Sequence, residues 1–132
     1  MTVATKIRPF LMFEGQAEEA MNFYVSLFPG SEITELVRYA PGQAGPAGSI
    51  MKAAFTVGGQ SIMCSDSFVH HDFTFTPSIS FFVTCESEAE IRQLSSALGE
   101  SGMEFMPLGE YGFSRLFAWV RDRFGVSWQL SY

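Results

Sequence analysis

Apolar positions along the chain switch repeatedly between a short-run or alternating pattern and a helical one. Lys6 to Phe13 is a compact apolar run that stops at Glu14-Gly15, and it reads as a buried strand. Pro9 has no N–H to give to a ladder, so this strand belongs at an edge or near its own start. Ala17, Ala20, Met21, Tyr24, Leu27 and Phe28 then recur at spacings of three and four, the stripe of an amphipathic helix. Glu18 and Glu19 fall in its first turn, where the helix dipole favours acids, and Pro29-Gly30 stops it. Ser31 to Tyr39 has strand composition. Residues 41–48 are a Gly/Pro loop with no side chain large enough to anchor it. Ser49 to Val57 and Gln60 to Ser65 flank Gly58-Gly59, a hairpin signal. Asp66 to Thr76 has no regular period and reads as a linker.

The second half repeats this order. Pro77 to Cys85 predicts a strand with Ile79, Phe81 and Val83 on one face. Ser87-Glu-Ala-Glu90 is a capping box, and Ile91, Leu94 and Leu98 form the helical stripe behind it. Met103 to Leu108 predicts a strand, and Arg115 to Val120 and Val126 to Tyr132 a hairpin around Arg121 to Gly125. Each half therefore reads strand, helix, strand, strand, strand, an internal repeat of one supersecondary unit. Gly59 matches Gly125, and by pattern Phe10 falls opposite Ile79. The fold expected is α+β: two βαβββ modules whose helix-backed, four-stranded sheets face each other around a cup. Residues 1–132 then make a single domain, with module 1 at about 1–66, a linker at 67–76 and module 2 at about 77–132.

Composition narrows the function classes. The 132 residues are 47% hydrophobic and 17% charged, which excludes a disordered or linker role. The net charge is −6, so neither nucleic acid nor an anionic membrane is an expected partner. Cys64 and Cys85 have neither CxxC spacing nor a flanking His cluster, which suggests free buried thiols in a reducing cytoplasmic setting. Met1 to Lys6 shows no charged region leading into an apolar one, and no apolar run approaches membrane-spanning length.

Particular motifs carry a family resemblance. Glu18-Glu-Ala-Met-Asn-Phe-Tyr24 running to Phe28-Pro-Gly30 resembles the first helix of the glyoxalase/bleomycin-resistance/dioxygenase (vicinal oxygen chelate) superfamily. Asp122-Arg-Phe-Gly-Val-Ser-Trp-Gln129 resembles its last hairpin. Met63-Cys-Ser-Asp66 and Met106-Pro-Leu-Gly109 are similar to the PhnB-like group, also labelled 3-demethylubiquinone-9 3-methyltransferase-like. The resemblance covers essentially the whole chain and implies the paired βαβββ fold and, as in many relatives, a homodimer.

Metal-dependent relatives take four inward ligands, and the resemblance transfers those slots to Pro9, Met63, Ser78 and Gln129. These lack the imidazoles and carboxylates that a hard or borderline divalent ion needs, so no metal and no cofactor is expected. The assignment depends on register, because a slip of one residue turns a strand's side chains to the other face. Alternation predicts Val126, Trp128 and Leu130 on the helix side of the last strand, with Cys64 on the helix side of its own. The expected cup lining is Ser61, Met63, Ser65, Ser78, Ser80, Phe82, Ser127, Gln129 and Ser131, joined by Leu11 and Phe13. Hydroxyls beside apolar groups suit a small, partly polar organic ligand, although a filled cup would also tolerate serine.

Other candidates are weaker. His70-His71-Asp72 is the one histidine cluster, but neighbours in an extended chain point apart, so a solvated or interface-facing linker fits better than a metal site. Tyr111 and Arg115, with Glu110, could hold a carboxylate or phosphonate, against the plainer reading of an exposed loop. The 41–48 loop could be a lid or a plain hairpin loop. No GxGxxG occurs, so the methyltransferase label has no nucleotide-binding motif behind it. The expected function is metal-independent binding of a small organic molecule. The alternative is an enzyme of unidentified lyase, isomerase or transferase type acting in the same cup, with or without the assistance of a metal, and with Gln129, Tyr111 or Glu110 as its polar groups.

Overall fold

The computed structural model describes residues 6–132. Two compact units divide the chain, one ending at His71 and one beginning at Asp72. Each carries a strand, a helix and three further strands.

In the first unit these are β1 (Phe10–Phe13), α1 (Ala17–Leu27), β2 (Glu32–Arg38), β3 (Ile50–Val57) and β4 (Gln60–Asp66). The sheet order is β1-β4-β3-β2, with β1 parallel to β4 and the other pairs antiparallel. Gly58 and Gly59 both have positive φ, 55° and 88°, as a tight two-residue hairpin requires. β1 begins at Phe10 rather than Lys6. Pro9 still joins the ladder through its carbonyl, which accepts from Met63 N at 2.9 Å.

The predicted stripe of α1 is buried at Ala17, Ala20, Met21 and Tyr24. The Tyr24 ring lies 6.2 Å from Phe55 at 21°, which fixes the faces of the sheet. Phe55 pairs with Ile62, and Cys64, two residues on, pairs with Leu11 and Ala53. Leu11, Phe13, Ile62 and Cys64 therefore face α1. Phe10, Met12, Ser61, Met63 and Ser65 face away from it.

The N-terminus of α1 receives no side-chain bond from its own N-cap residue, Gln16. It is capped from β4 instead. Asp66 Oδ1 accepts from Gly15 N at 3.0 Å and Ala17 N at 2.9 Å, and Oδ2 accepts from Ile50 N at 3.1 Å. One buried carboxylate thus joins helix, loop and sheet, satisfying amides that a helix start leaves open.

The 41–48 loop is anchored after all. Gly48 N donates to Tyr39 O at 2.8 Å, and Gly45 sits so close over the Tyr39 ring that a Cβ there would fall 2.5 Å from it. The loop is a closed hairpin connection, and nothing in this geometry is lid-like.

The second unit holds β5 (Phe81–Thr84), α2 (Glu88–Gly99), β6 (Met103–Gly109), β7 (Phe117–Arg121) and β8 (Ser127–Ser131), in the order β5-β8-β7-β6. The capping box forms with its return bond one residue early, on Glu86 rather than on the Ser87 amide. Ser87 Oγ accepts from Glu90 N at 3.0 Å, while Glu90 Oε1 accepts from Glu86 N at 2.6 Å. Ile91, Leu94 and Leu98 are the buried stripe of α2. They face the side of the sheet that carries Val120, Trp128 and Leu130, all but inaccessible. The β7–β8 turn is organised by Asp122, 2% exposed. Its Oδ1 accepts from Phe124 N and Val126 N at 2.9 and 3.0 Å, and its Oδ2 from Trp128 Nε1 at 2.9 Å.

The expected strand from Pro77 to Cys85 is much shorter. Residues 77–79 form a turn closed by Ile79 N on Thr76 O at 3.3 Å, and Ile79 is 73% exposed rather than on an inner face. Register corrects the expected match between the modules' first strands as well. Phe10 pairs with Met63 and Phe82 with Gln129. Phe10 therefore corresponds to Phe82, three positions beyond Ile79. Three is odd, so the expected alignment turned the β1 side chains to the wrong face, while Phe82 in β5 keeps the face expected of it.

Candidate functional site

A connected polar group lies on the helix-distal face of the second sheet. Gln129 pairs with Phe82 on one side and Trp119 on the other, so the three share a face. Arg121 pairs with Ser127, two residues along each strand, and joins them. Trp119 Nε1 donates to Ser127 Oγ at 2.9 Å. Ser127 Oγ lies 2.7 Å from Ser80 Oγ, and Ser80 Oγ accepts from Gln129 Nε2 at 3.3 Å. Both hydroxyls also reach Pro77 O, at 3.3 and 3.4 Å. Indole, two hydroxyls and amide therefore form one connected chain, which fixes the rotamers of Trp119 and Gln129. Phe82, 60% exposed, stands at its edge.

Most of the expected lining residues occupy helix-distal positions: Ser61, Met63 and Ser65 in the first unit, Phe82, Ser127, Gln129 and Ser131 in the second, with Ser80 brought beside them by its bonds to Ser127 and Gln129. Three do not. Leu11 and Phe13 face α1, 8% and 3% exposed, and Phe10 and Met12 take the helix-distal positions instead. Ser78 lies in the turn before β5, with its hydroxyl 3.0 Å from Thr76 Oγ1. Trp119 and Arg121 were missed. Alternation back from the Gly125 turn would have found them, because each pairs with a residue already placed on that face.

Tyr111 and Arg115 do not form a joint anion fork. The Tyr111 hydroxyl donates to Pro107 O, and its ring stands edge-on to Phe117 at 6.2 Å. Arg115 turns to Tyr132, with Nη1 3.4 Å from the hydroxyl and the guanidinium 5.6 Å from the ring centre. The histidines serve as tethers. His70 Nδ1 is 2.9 Å from Glu14 Oε1, and His71 Nε2 is 2.9 Å from Ser67 Oγ. The hydrogen bond from His70 holds the Glu14 carboxyl below its ordinary range. Burial pushes the Cys64 thiol up to about 12, with the Asp66 charge adding to it. Burial likewise raises Cys85 to about 11, with Glu90 adding to it. Neither thiol has the electropositive setting of a nucleophile.

The metal-dependent members of the fold class supply a donor test. Among the described residues no three His, Cys, Asp or Glu side chains gather to hold an ion. In the first unit the register places Phe10 beside Met63, a ring and a thioether, and in the second Phe82 beside Gln129, a ring and an amide. Neither pair offers the imidazole or carboxylate donors that Fe(II), Mg(II) or Zn(II) takes.

A strand–helix–three-strand unit repeated with the same mixed sheet order defines a protein of the glyoxalase/bleomycin-resistance/dioxygenase fold. Residues 5–131 match the family described as 3-demethylubiquinone-9 3-methyltransferase, and the chain belongs to that family, the PhnB-like group of the superfamily. It is 54% identical to a PhnB protein from Bacillus cereus, with a TM-score of 0.94 over 96% of this chain and 98% of that one. A protein from Pseudomonas aeruginosa is 30% identical, with a TM-score of 0.82 over 97% of each chain. A glyoxylase/bleomycin resistance protein/dioxygenase domain from Frankia, 18% identical at a TM-score of 0.62, shares the fold. None of the curated proteins matches the chain. No helix among the described residues is long and apolar enough to cross a membrane.

Proposed function

We propose that this PhnB-like chain binds a small, partly polar organic molecule without a metal ion, using the helix-distal face around Gln129. The observation that carries the reading is the state of that amide. Its Nε2 is held by Ser80, whereas its Oε1 accepts from no described residue. A fixed acceptor beside Phe82 and Trp119 is the apolar wall plus placed polar group that small-ligand sites use. The donor set supports metal independence. Binding is preferred to lyase, isomerase or transferase chemistry because Arg121 is the one charged residue in β5, β7 and β8. A guanidinium stays protonated at neutral pH and serves poorly as an acid–base group. The reading includes a homodimer in the cytoplasm, and the exposure of Ile7, Phe68 and Val69 supports a further copy covering apolar surface.

The two indoles give an internal test. Trp119 N–H reports on the helix-distal face, and Trp128 N–H, locked on Asp122, reports on the core. In a fragment screen by NMR, saturable binders should move the Trp119 indole signal and leave Trp128 in place. Gln129→Ala should weaken them at least tenfold without lowering the melting temperature by more than a few degrees. A screen in which Trp119 never moves, or in which Gln129→Ala binds as well as wild type, overturns the reading.

A further inference from the structure

A concavity in the second unit lies apart from the Gln129 face and has different chemistry. It is an open cleft of about 610 Å³ between the first turns of α2 and the loop joining β6 to β7. No residue of the Gln129 network lines it. Leu108 and Leu116, both half-buried, give it an apolar floor. Four charged groups face it. Two cancel each other, since Arg92 Nε donates to Glu88 Oε2 at 3.0 Å one helical turn away. The other two, Arg115 and Glu110, are left.

Arg115 and Glu110 line the same cleft yet form no ion pair with each other, so their charged atoms lie more than 4.0 Å apart. Glu110 has no hydrogen-bonding or charged partner among the described residues, and Arg115 spends one N–H on a long bond to Tyr132. The guanidinium is nonetheless held in place by the Tyr132 ring beneath it. The backbone under both ends is fixed too, with Leu116 and Tyr132 exchanging two N–H···O bonds of 3.1 and 2.9 Å. An anion alone would be repelled by Glu110, and a cation alone by Arg115. A molecule carrying both charges satisfies both, and an apolar side chain on it would cover the two leucines.

We propose that this cleft is a binding site for a zwitterionic α-amino acid with an apolar side chain, its carboxylate on Arg115 and its ammonium on Glu110. The site is separate from the Gln129 face, and its success or failure leaves that reading untouched.

The probe is L-leucine, titrated into the full chain while backbone amide shifts are followed by NMR. Saturable shifts should centre on 108–116 and the first turns of α2, with a Kd of about 1 mM or tighter, as suits an open site. N-acetyl-leucine and leucine amide, each lacking one charge, should bind at least tenfold more weakly. Arg115→Gln and Glu110→Gln should each cost a similar factor and leave the Trp119 and Trp128 indole signals unmoved, which shows the fold intact. Absence of saturable shifts at 108–116 overturns the proposal. So does equal binding of N-acetyl-leucine, which would mark the cleft as a plain anion site, or wild-type affinity in Glu110→Gln.

Discussion

Replacing Asp122 by alanine tests how the second unit is held together. The carboxylate is 2% exposed and serves three donors, two turn amides and the Trp128 indole. Val126 and Trp128 are themselves buried, so their N–H groups cannot turn to water once the acceptor goes. A hydrogen bond to a charged group contributes about 1.5–3 kcal/mol, and a stranded buried donor costs about 1–3 kcal/mol. Phe124 N is buried too, but it lies in the turn itself, whose backbone can relax to recover part of the bond. Two full losses and one partial loss give about 4 kcal/mol. For a chain of this length that is a drop of about 12–20 °C in melting temperature. Asp122→Asn keeps an acceptor for the amides but sets an NH₂ against the indole N–H, so it should lose about half as much. Calorimetry or chemical denaturation reads both variants. A double-mutant cycle with Trp128→Phe should show at least about 1 kcal/mol of coupling, because each single change removes the same bond. Asp122→Ala within about 1 kcal/mol of wild type, or a cycle without coupling, would refute the reasoning.

Asp66→Ala should cost about 3 kcal/mol for the same kind of reason, and amide hydrogen exchange should quicken first at Gly15, Ala17 and Ile50, the donors it strands. The thiols make stability fall with alkalinity. Cys64 and Cys85 stay protonated in the folded chain up to about 12 and about 11, whereas an unfolded thiol ionises near 9.0. Above pH 9 the unfolded chain therefore binds fewer protons, and stability should decline with rising pH from there towards 11. Cys64→Ala should flatten part of that decline, and an unchanged slope would contradict the burial. Neither native thiol should react with iodoacetamide at pH 8, while both should react after unfolding.

The elements were legible because their signals are local. Stripes at three and four, a Ser–Glu capping box and a Gly-Gly turn each act within a few residues, and α1, α2 and the β3–β4 hairpin stand where those signals put them. What the sequence concealed was non-local. Parallel pairing of β1 with β4 and β5 with β8 has no turn to fix its register, and the extra residues lie in a stretch without period. A slip of three put Leu11 and Phe13 on the wrong face and Ser78 on a strand rather than in a turn. On the last strand, anchored by the adjacent Gly125 turn, the same reasoning placed Ser127 and Gln129 on the helix-distal face. The cap on α1 was hidden for a related cause: Asp66 is 49 residues from the Ala17 amide that it accepts from. Arg115 shows the limit for long side chains. Its backbone position was apparent, but its partner, Tyr132, depends on how two distant chain segments pair.

Native mass spectrometry of freshly purified protein, never exposed to a chelator, tests the metal-free binding account most directly. The account predicts a homodimer whose mass carries either no excess or an organic one, and no metal ion. One metal ion per chain would contradict it, because Phe10, Met63, Phe82 and Gln129 could not be the positions that hold the ion.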